Sequence, residues 1–201
     1  SFYAYAGPTN NAGPDYGALV TIHGSVWIGN DCWIYPVASP TNGGTVLFRM
    51  GDLHIGANGG FNASGRGYSP RNGPGQGTTI GNGGAGGGYG GRGGNDAAGG
   101  AGGGVYGSTN APIDAGSGGG SHNSVSYYSR AGSGGGSVRI EAGTVAIGGS
   151  MLASGGKACS SQYGGGGAGG TVTIGCRSLM PQAGALLMAV GGDSYATWGG
   201  G

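Results

Sequence analysis

Between residues 81 and 95 the chain is glycine interrupted only by Asn82, Ala85, Tyr89, Arg92 and Asn95, at spacings of three, four, three and three. An X-Gly-Gly triplet with one inserted glycine has the three-residue period of a polyproline II helix. Side chains then line one edge, and the two bare edges let neighbouring segments approach until backbone N–H and Cα–H groups meet carbonyls. A single segment of this kind leaves its backbone in water, whereas several together form a bundle. Related runs recur at residues 99–104, 116–120, 132–136, 164–170 and 199–201. Flexible glycine linkers are the other reading. The three-residue phase, and the tyrosine and arginine within it, favour the bundle.

Glycine accounts for 58 of 201 residues, and only 7% of the chain is charged. Such a composition often means disorder. Here 36% of the residues are hydrophobic and fall in alternating runs, and a net charge of +1 supplies little self-repulsion to expand the chain. A folded protein is expected. Glycine keeps no sustained Gly-X-Y register, which excludes collagen. The seven arginines and Lys157 are dispersed, so no basic stripe exists to neutralise phosphates, and no nucleic-acid partner is expected. The longest apolar run, residues 185–190, is far shorter than the ~20 residues of a membrane helix. No signal peptide opens the chain, so any secretion signal is expected to have been removed or to lie outside it. The chain ends as another glycine run begins, at Trp198, as a piece of a longer repetitive protein or a neighbour-completed subunit would.

Strand-like units recur along the chain. Residues 48–56 alternate and are followed by Asn62-Ala63-Ser64-Gly65; residues 140–148 alternate and are followed by Leu152-Ala153-Ser154-Gly155. A more degenerate copy spans 172–176 and closes at 188–192, and residues 20–29 have the same rhythm. Alternation places Val26 with Ile28, Leu53 with Ile55, and Val145 with Ile147 on common faces, and puts His23 and His54 on the outer face. One unit cannot bury its apolar face alone, but stacked units can. No segment combines a 3.6-residue period with ten residues free of glycine, so essentially no α-helix is expected. The expected fold is all-β: a β-solenoid or a layered β-sheet with packed polyproline II segments. Residues 1–45 form an aromatic-rich β segment and 46–201 a continuous glycine-rich repeat region.

The order of these pieces, in residues 46–68, 90–120, 134–156 and 164–201, resembles glycine-rich repeat proteins of microbial cell surfaces. The resemblance implies a large secreted or surface-anchored protein with a structural or adhesive role, and it carries over no catalytic residue. A second likeness is to the glycine-rich ligand-binding domains of some receptor tyrosine kinases.

Chemistry is sparse. The seven acids, Asp15, Asp31, Asp52, Asp96, Asp114, Glu141 and Asp193, are dispersed and mostly adjoin turn residues. His23, His54 and His122 have no zinc spacing, and no helix follows the glycine runs to make a phosphate loop. No enzyme, cofactor or metal site is expected. Asn62-Ala63-Ser64 fits a glycosylation acceptor, although the same corner recurs at residue 152 without asparagine. Tyr89, Tyr106, Tyr127, Tyr128 and Tyr163 sit among small residues; they either grip a sugar or another subunit, or shield the glycine backbone, which is the favoured reading. Cys159 and Cys176 enclose sixteen residues and are expected to pair, a loop closure worth about 3 kcal/mol, leaving Cys32.

Aromatic segments near both ends, with Phe2, Tyr3 and Tyr5 at one and Tyr195 and Trp198 at the other, read as strands without a nearby partner. An exposed strand edge recruits another strand. The expected function is an extracellular structural protein that self-associates into a filament or surface layer. A carbohydrate-binding adhesin, with surface carbohydrate as partner, comes second, and a β-helical polysaccharide-active enzyme third.

Overall fold

The computed structural model of the chain describes residues 1–7, 17–81, 83–122, 130–159 and 164–194. It is all-β, with no α-helix among the described residues. Four strands form one parallel sheet: β2 (Ala18–Ile28), β4 (Val46–Ile55), β8 (Ser137–Ile147) and β10 (Thr171–Pro181). Five shorter ones form a second parallel sheet: β1 (Phe2–Tyr5), β3 (Trp33–Val37), β5 (Gly60–Asn62), β9 (Ser150–Leu152) and β11 (Leu186–Met188). Strands neighbour one another in chain order in both sheets, and neither sheet closes on itself. A small antiparallel pair, β6 (Thr79–Ile80) with β7 (Gly83–Gly84), lies in the long segment between β5 and β8. Residues 2–5, 18–28 and 33–37 are the first strands of the same two sheets, and Ala4 and Ile28 belong to their common core.

Each long strand turns a tight corner into a short one. The corners stack: the amides of Gly56, Gly148 and Gln182 donate to the carbonyls of Ile28, Ile55 and Ile147 at 2.8 Å. In three of the four corners the third residue after the long strand takes a left-handed backbone, namely Asp31, Asn58 and Gly184. Glycine, asparagine and aspartate tolerate that region best. Inward-facing residues of both sheets meet in one core that includes Phe48, Leu53, Phe61, Val138, Val145 and Met151. Phe48 and Phe61 join the two sheets edge to face, 5.2 Å between centroids.

At the side away from the tight corners the strands run into packed glycine. The tracts at 116–120, 132–136 and 164–170 hydrogen-bond in a cycle. Gly116 and Gly119 donate to Gly135 and Gly132; Gly132 and Gly135 donate to Gly165 and Ala168; Gly165 and Ala168 donate to Gly120 and Ser117, all at 2.8–2.9 Å. Each direction recurs every third residue. The amides between point elsewhere: Gly118 to Asn72, Gly134 to Tyr68, Gly167 to Gly156. Glycine is required sterically as well, because a Cβ at Gly134 would lie 1.7 Å from the Gly116 carbonyl oxygen, and one at Gly170 1.8 Å from that of Gly136. The three tracts are thus joined to one another by backbone hydrogen bonds along their length.

Candidate functional site: the open ends of the stack

Inward-facing residues align in rows that cross the sheets from one edge strand to the other. In the four-stranded sheet two such rows read Val20, Phe48, Ile140, Ile174 and Val26, Leu53, Val145, Leu179. In the five-stranded sheet the row is Phe2, Ile34, Phe61, Met151, Leu187. Central members are buried, with Phe61 and Leu53 at 0% exposure, whereas Phe2 is 56% exposed and Leu187 46%. Among the described residues the rows run out at both ends without a covering layer. At the first end a groove of about 290 Å³ opens between β1 and β2, lined by Phe2, Val26, Trp27, Ile28, Trp33 and Ile34. At the other, Leu179, Met180, Leu186, Leu187 and Val190 are exposed beside the free edges of β10 and β11.

The aromatic N-terminal segment is not without a partner, as its sequence had suggested. Phe2–Tyr5 pairs in parallel with Trp33–Val37, because β3 follows one layer later in the same register. Tyr3 stacks on Tyr35 at 4.7 Å and lies 6.4 Å from Tyr5, and the Arg66 guanidinium covers the Tyr35 ring at 4.5 Å. The free edge of β1 and the Phe2 side chain are what this segment offers to another molecule. Tyr195 and Trp198 lie outside the described residues, as do Tyr127, Tyr128 and Tyr163.

Three tyrosines, Tyr89 and Tyr106 of those singled out in the sequence together with Tyr68, are buried or part-buried against the glycine tracts. The Tyr68 hydroxyl donates to the Asn42 carbonyl at 3.2 Å, Tyr106 donates to the Ala115 carbonyl, and Tyr89 contacts the Thr171 hydroxyl at 2.8 Å. Tyr89 and Tyr106 also pack ring to ring at 5.0 Å. Burial raises the pKa of all three above the usual tyrosine value; the nearby Asp114 carboxylate adds to the shift, and the Thr171 and Ser117 hydroxyls oppose it at Tyr89 and Tyr106. Burial also raises Asp114, against the pull of Arg139. The sign for the tyrosines is that the folded state holds protons which the unfolded chain releases near pH 10. Their stabilisation is complete below pH 10 and is lost as pH rises through the higher folded values. Alkaline titration should show the tyrosinate absorbance of these three appearing only together with loss of the β circular-dichroism signal. Ionisation of every tyrosine near pH 10 with the fold intact would contradict their burial.

The expected disulfide is not formed: Cys32, Cys159 and Cys176 are all free thiols. Cys176 sits on β10 opposite Ala142, while the Cys159 amide is tied to the Arg130 carbonyl in the glycine layer. Each cysteine is thus held in a different part of the fold. Asn62 ends β5, and its Oδ1 accepts the Ser64 amide at 3.0 Å, a local turn that accounts for the Asn-Ala-Ser sequence. Among the described residues no three His, Cys, Asp or Glu side chains converge on a metal position. Arg49 and Glu141 form an ion pair of 2.7 Å on the outer face, and Asp52 accepts the Thr144 amide.

One surface pair escaped the sequence reading. Trp27 and His54 stack face to face on the outside of the four-stranded sheet, 3.9 Å between centroids and 6° between planes. Aligning Val26-Trp27-Ile28-Gly29 with Leu53-His54-Ile55-Gly56 and Val145-Ala146-Ile147-Gly148 would have revealed it, because equivalent positions in stacked units become neighbours. No helix among the described residues is long and apolar enough to cross a membrane. No protein-family model, curated protein or solved structure matches the chain.

Proposed function

We propose that this chain is a structural module of the extracellular space or cell surface: a β-solenoid flanked by a polyproline II bundle, whose copies stack end to end into a filament. The observation that carries this reading is the match between the two ends. The edge strands β2 and β10 are both eleven residues long, and among the described residues each has one unpaired edge. Docking β10 of one copy beside β2 of the next extends the inward rows, Ile174 to Val20 and Leu179 to Val26, and brings Leu187 against Phe2. Unpaired N–H and C=O groups on each edge gain partners in the same step. Because the two surfaces differ, the contact is head-to-tail and gives an open polymer, not a closed dimer. β2 carries a bulge between Ile22 and Ser25, and β4 already pairs across it.

Sedimentation velocity and electron microscopy over a concentration series test the proposal. Wild-type protein should assemble with rising concentration. Val26→Lys at one end and Leu179→Lys at the other should each leave monomers. Traces of either variant should also shorten wild-type filaments, since a copy blocked at one end terminates growth. A wild-type chain that stays monomeric at about 1 mM, a concentration where even weak contacts register, would overturn the reading. So would filaments indifferent to both substitutions.

A further inference from the structure

We propose that the outer face of the four-stranded sheet holds a binding slot for one ring of a neutral carbohydrate, walled by His54 on one side and by Gln182 on the other. The inference concerns a single molecule and does not depend on end-to-end stacking.

The slot follows from two adjacent outward rows. One reads Trp27, His54, Ala146, Met180 in paired register. The other, one step nearer the corner, consists of Gly29, Gly56, Gly148 and Gln182, whose amides join successive corners. Large side chains therefore stand at the two ends of these rows; between them lie the Ala146 methyl, 9% exposed, and the Gly56 and Gly148 backbones, over which the Asn30 and Gln182 carboxamides lean. Adjacent strands are about 4.8 Å apart, so His54 stands roughly 9.6 Å from the level of Met180 and Gln182. Trp27 covers one face of the His54 imidazole, which leaves the other face turned toward the gap. A cavity of about 300 Å³ occupies the position, lined by Trp27, Asn30, His54, Gly56, Ala146 and Gln182. The glycines make room for its two polar side chains: a Cβ at Gly56 would lie 2.5 Å from the Asn30 Oδ1, and one at Gly148 2.9 Å from the Gln182 Oε1.

The chemistry of the lining selects the ligand. A ring face takes up the flat C–H face of a pyranose, and Trp27, stacked on the far face of His54, backs that wall. Two carboxamides supply hydroxyl partners. Asn30 spends its Oδ1 on the Ala57 amide at 3.0 Å, and its amino group makes no hydrogen bond among the described residues. The Gln182 carboxamide is likewise uncommitted among them, so it can both donate and accept. No charged side chain lines the cavity, so a neutral sugar fits better than a uronate or a sialylated one. A peptide strand would instead add to a free sheet edge, and this depression lies on the face of the sheet.

Titration of the protein with neutral hexose oligosaccharides (gluco-, manno- and galactotetraose) and with tetragalacturonate, followed by the Ala146 methyl and His54 ring signals in NMR, tests the assignment. At least one neutral tetrasaccharide should shift both signals along a saturable curve. His54→Ala should weaken binding at least tenfold by removing a wall, and Ala146→Met should abolish it by filling the slot. Both residues lie on the outer side of the sheet, Ala146 as the 9% exposed floor that borders the cavity, so the circular-dichroism spectrum should stay near that of wild type, and Tyr5→Ala on the other sheet should bind like wild type. The proposal is overturned if no neutral tetrasaccharide moves these signals up to about 10 mM, the weak limit for specific sugar contacts. It is also overturned if binding survives Ala146→Met, or if tetragalacturonate binds more tightly than every neutral probe.

Discussion

Replacing Gly134 by alanine is expected to leave little or no folded protein. The new methyl carbon would sit 1.7 Å from the Gly116 carbonyl oxygen and 2.3 Å from its carbon, both backbone atoms of a tract fixed on its other sides. Relief requires moving a whole segment, which breaks the hydrogen bonds of Gly116 to Gly135 and Gly134 to Tyr68. A cost above about 4 kcal/mol approaches the whole stability of an ordinary domain, some 5–15 kcal/mol. Gly104→Ala provides the contrast. No atom lies within 4 Å of its Cβ position and its backbone is not left-handed. There alanine should be neutral or stabilising by about 0.4–1 kcal/mol, through the unfolded chain's lower entropy. Urea denaturation of the two variants measures the difference. Similar midpoints would mean that the tracts act as linkers after all.

Phe61→Ala should be the most damaging change within the sheets. Phe61 has no exposed surface, stands at the centre of its row between Ile34 and Met151, and bridges to Phe48 of the other sheet. Truncation removes a large apolar side chain and leaves a cavity in a layer held by strands on both sides, at a cost of about 3–5 kcal/mol. Phe2→Ala removes the same side chain from the end of the same row, where more than half of it is already in solvent. Its effect on the monomer should be under about 1 kcal/mol. Comparable losses at the two positions would show that Phe2 is covered in solution, which chemical denaturation across a concentration range would reveal as a concentration-dependent midpoint.

The strands themselves were legible. Alternation alone placed Leu53 with Ile55 and Val145 with Ile147, and all four are buried in the core. It also put His54 on the outer face, where it stacks on Trp27. The segments that end at the similar small-residue turns lie side by side: Asn62 pairs with Leu152, and Leu152 with Met188. Period-two patterning encodes which way a side chain points in any sheet, so it survives ignorance of the partners.

What remained hidden was every relation that depends on partners. Alternation does not say whether neighbouring strands run parallel, and the pairing of β1 with β3 rests on a register that only the stacked corners impose. Nor does a cysteine count say which thiols meet. Cys159 and Cys176 are close enough in sequence to suggest a loop, yet they are anchored to Arg130 and Ala142 respectively and remain free. The glycine tracts show the division most sharply. Composition and a three-residue phase determine that such tracts have bare edges able to pack closely. Whether they do so depends on hydrogen bonds from Gly116 to Gly135, from Gly132 to Gly165 and from Gly165 to Gly120, tracts that the chain brings together from as far as 45 residues apart. A glycine carries no side chain to name its neighbour, so only the tertiary structure, by supplying a carbonyl for each amide, decides between a linker and a packed wall.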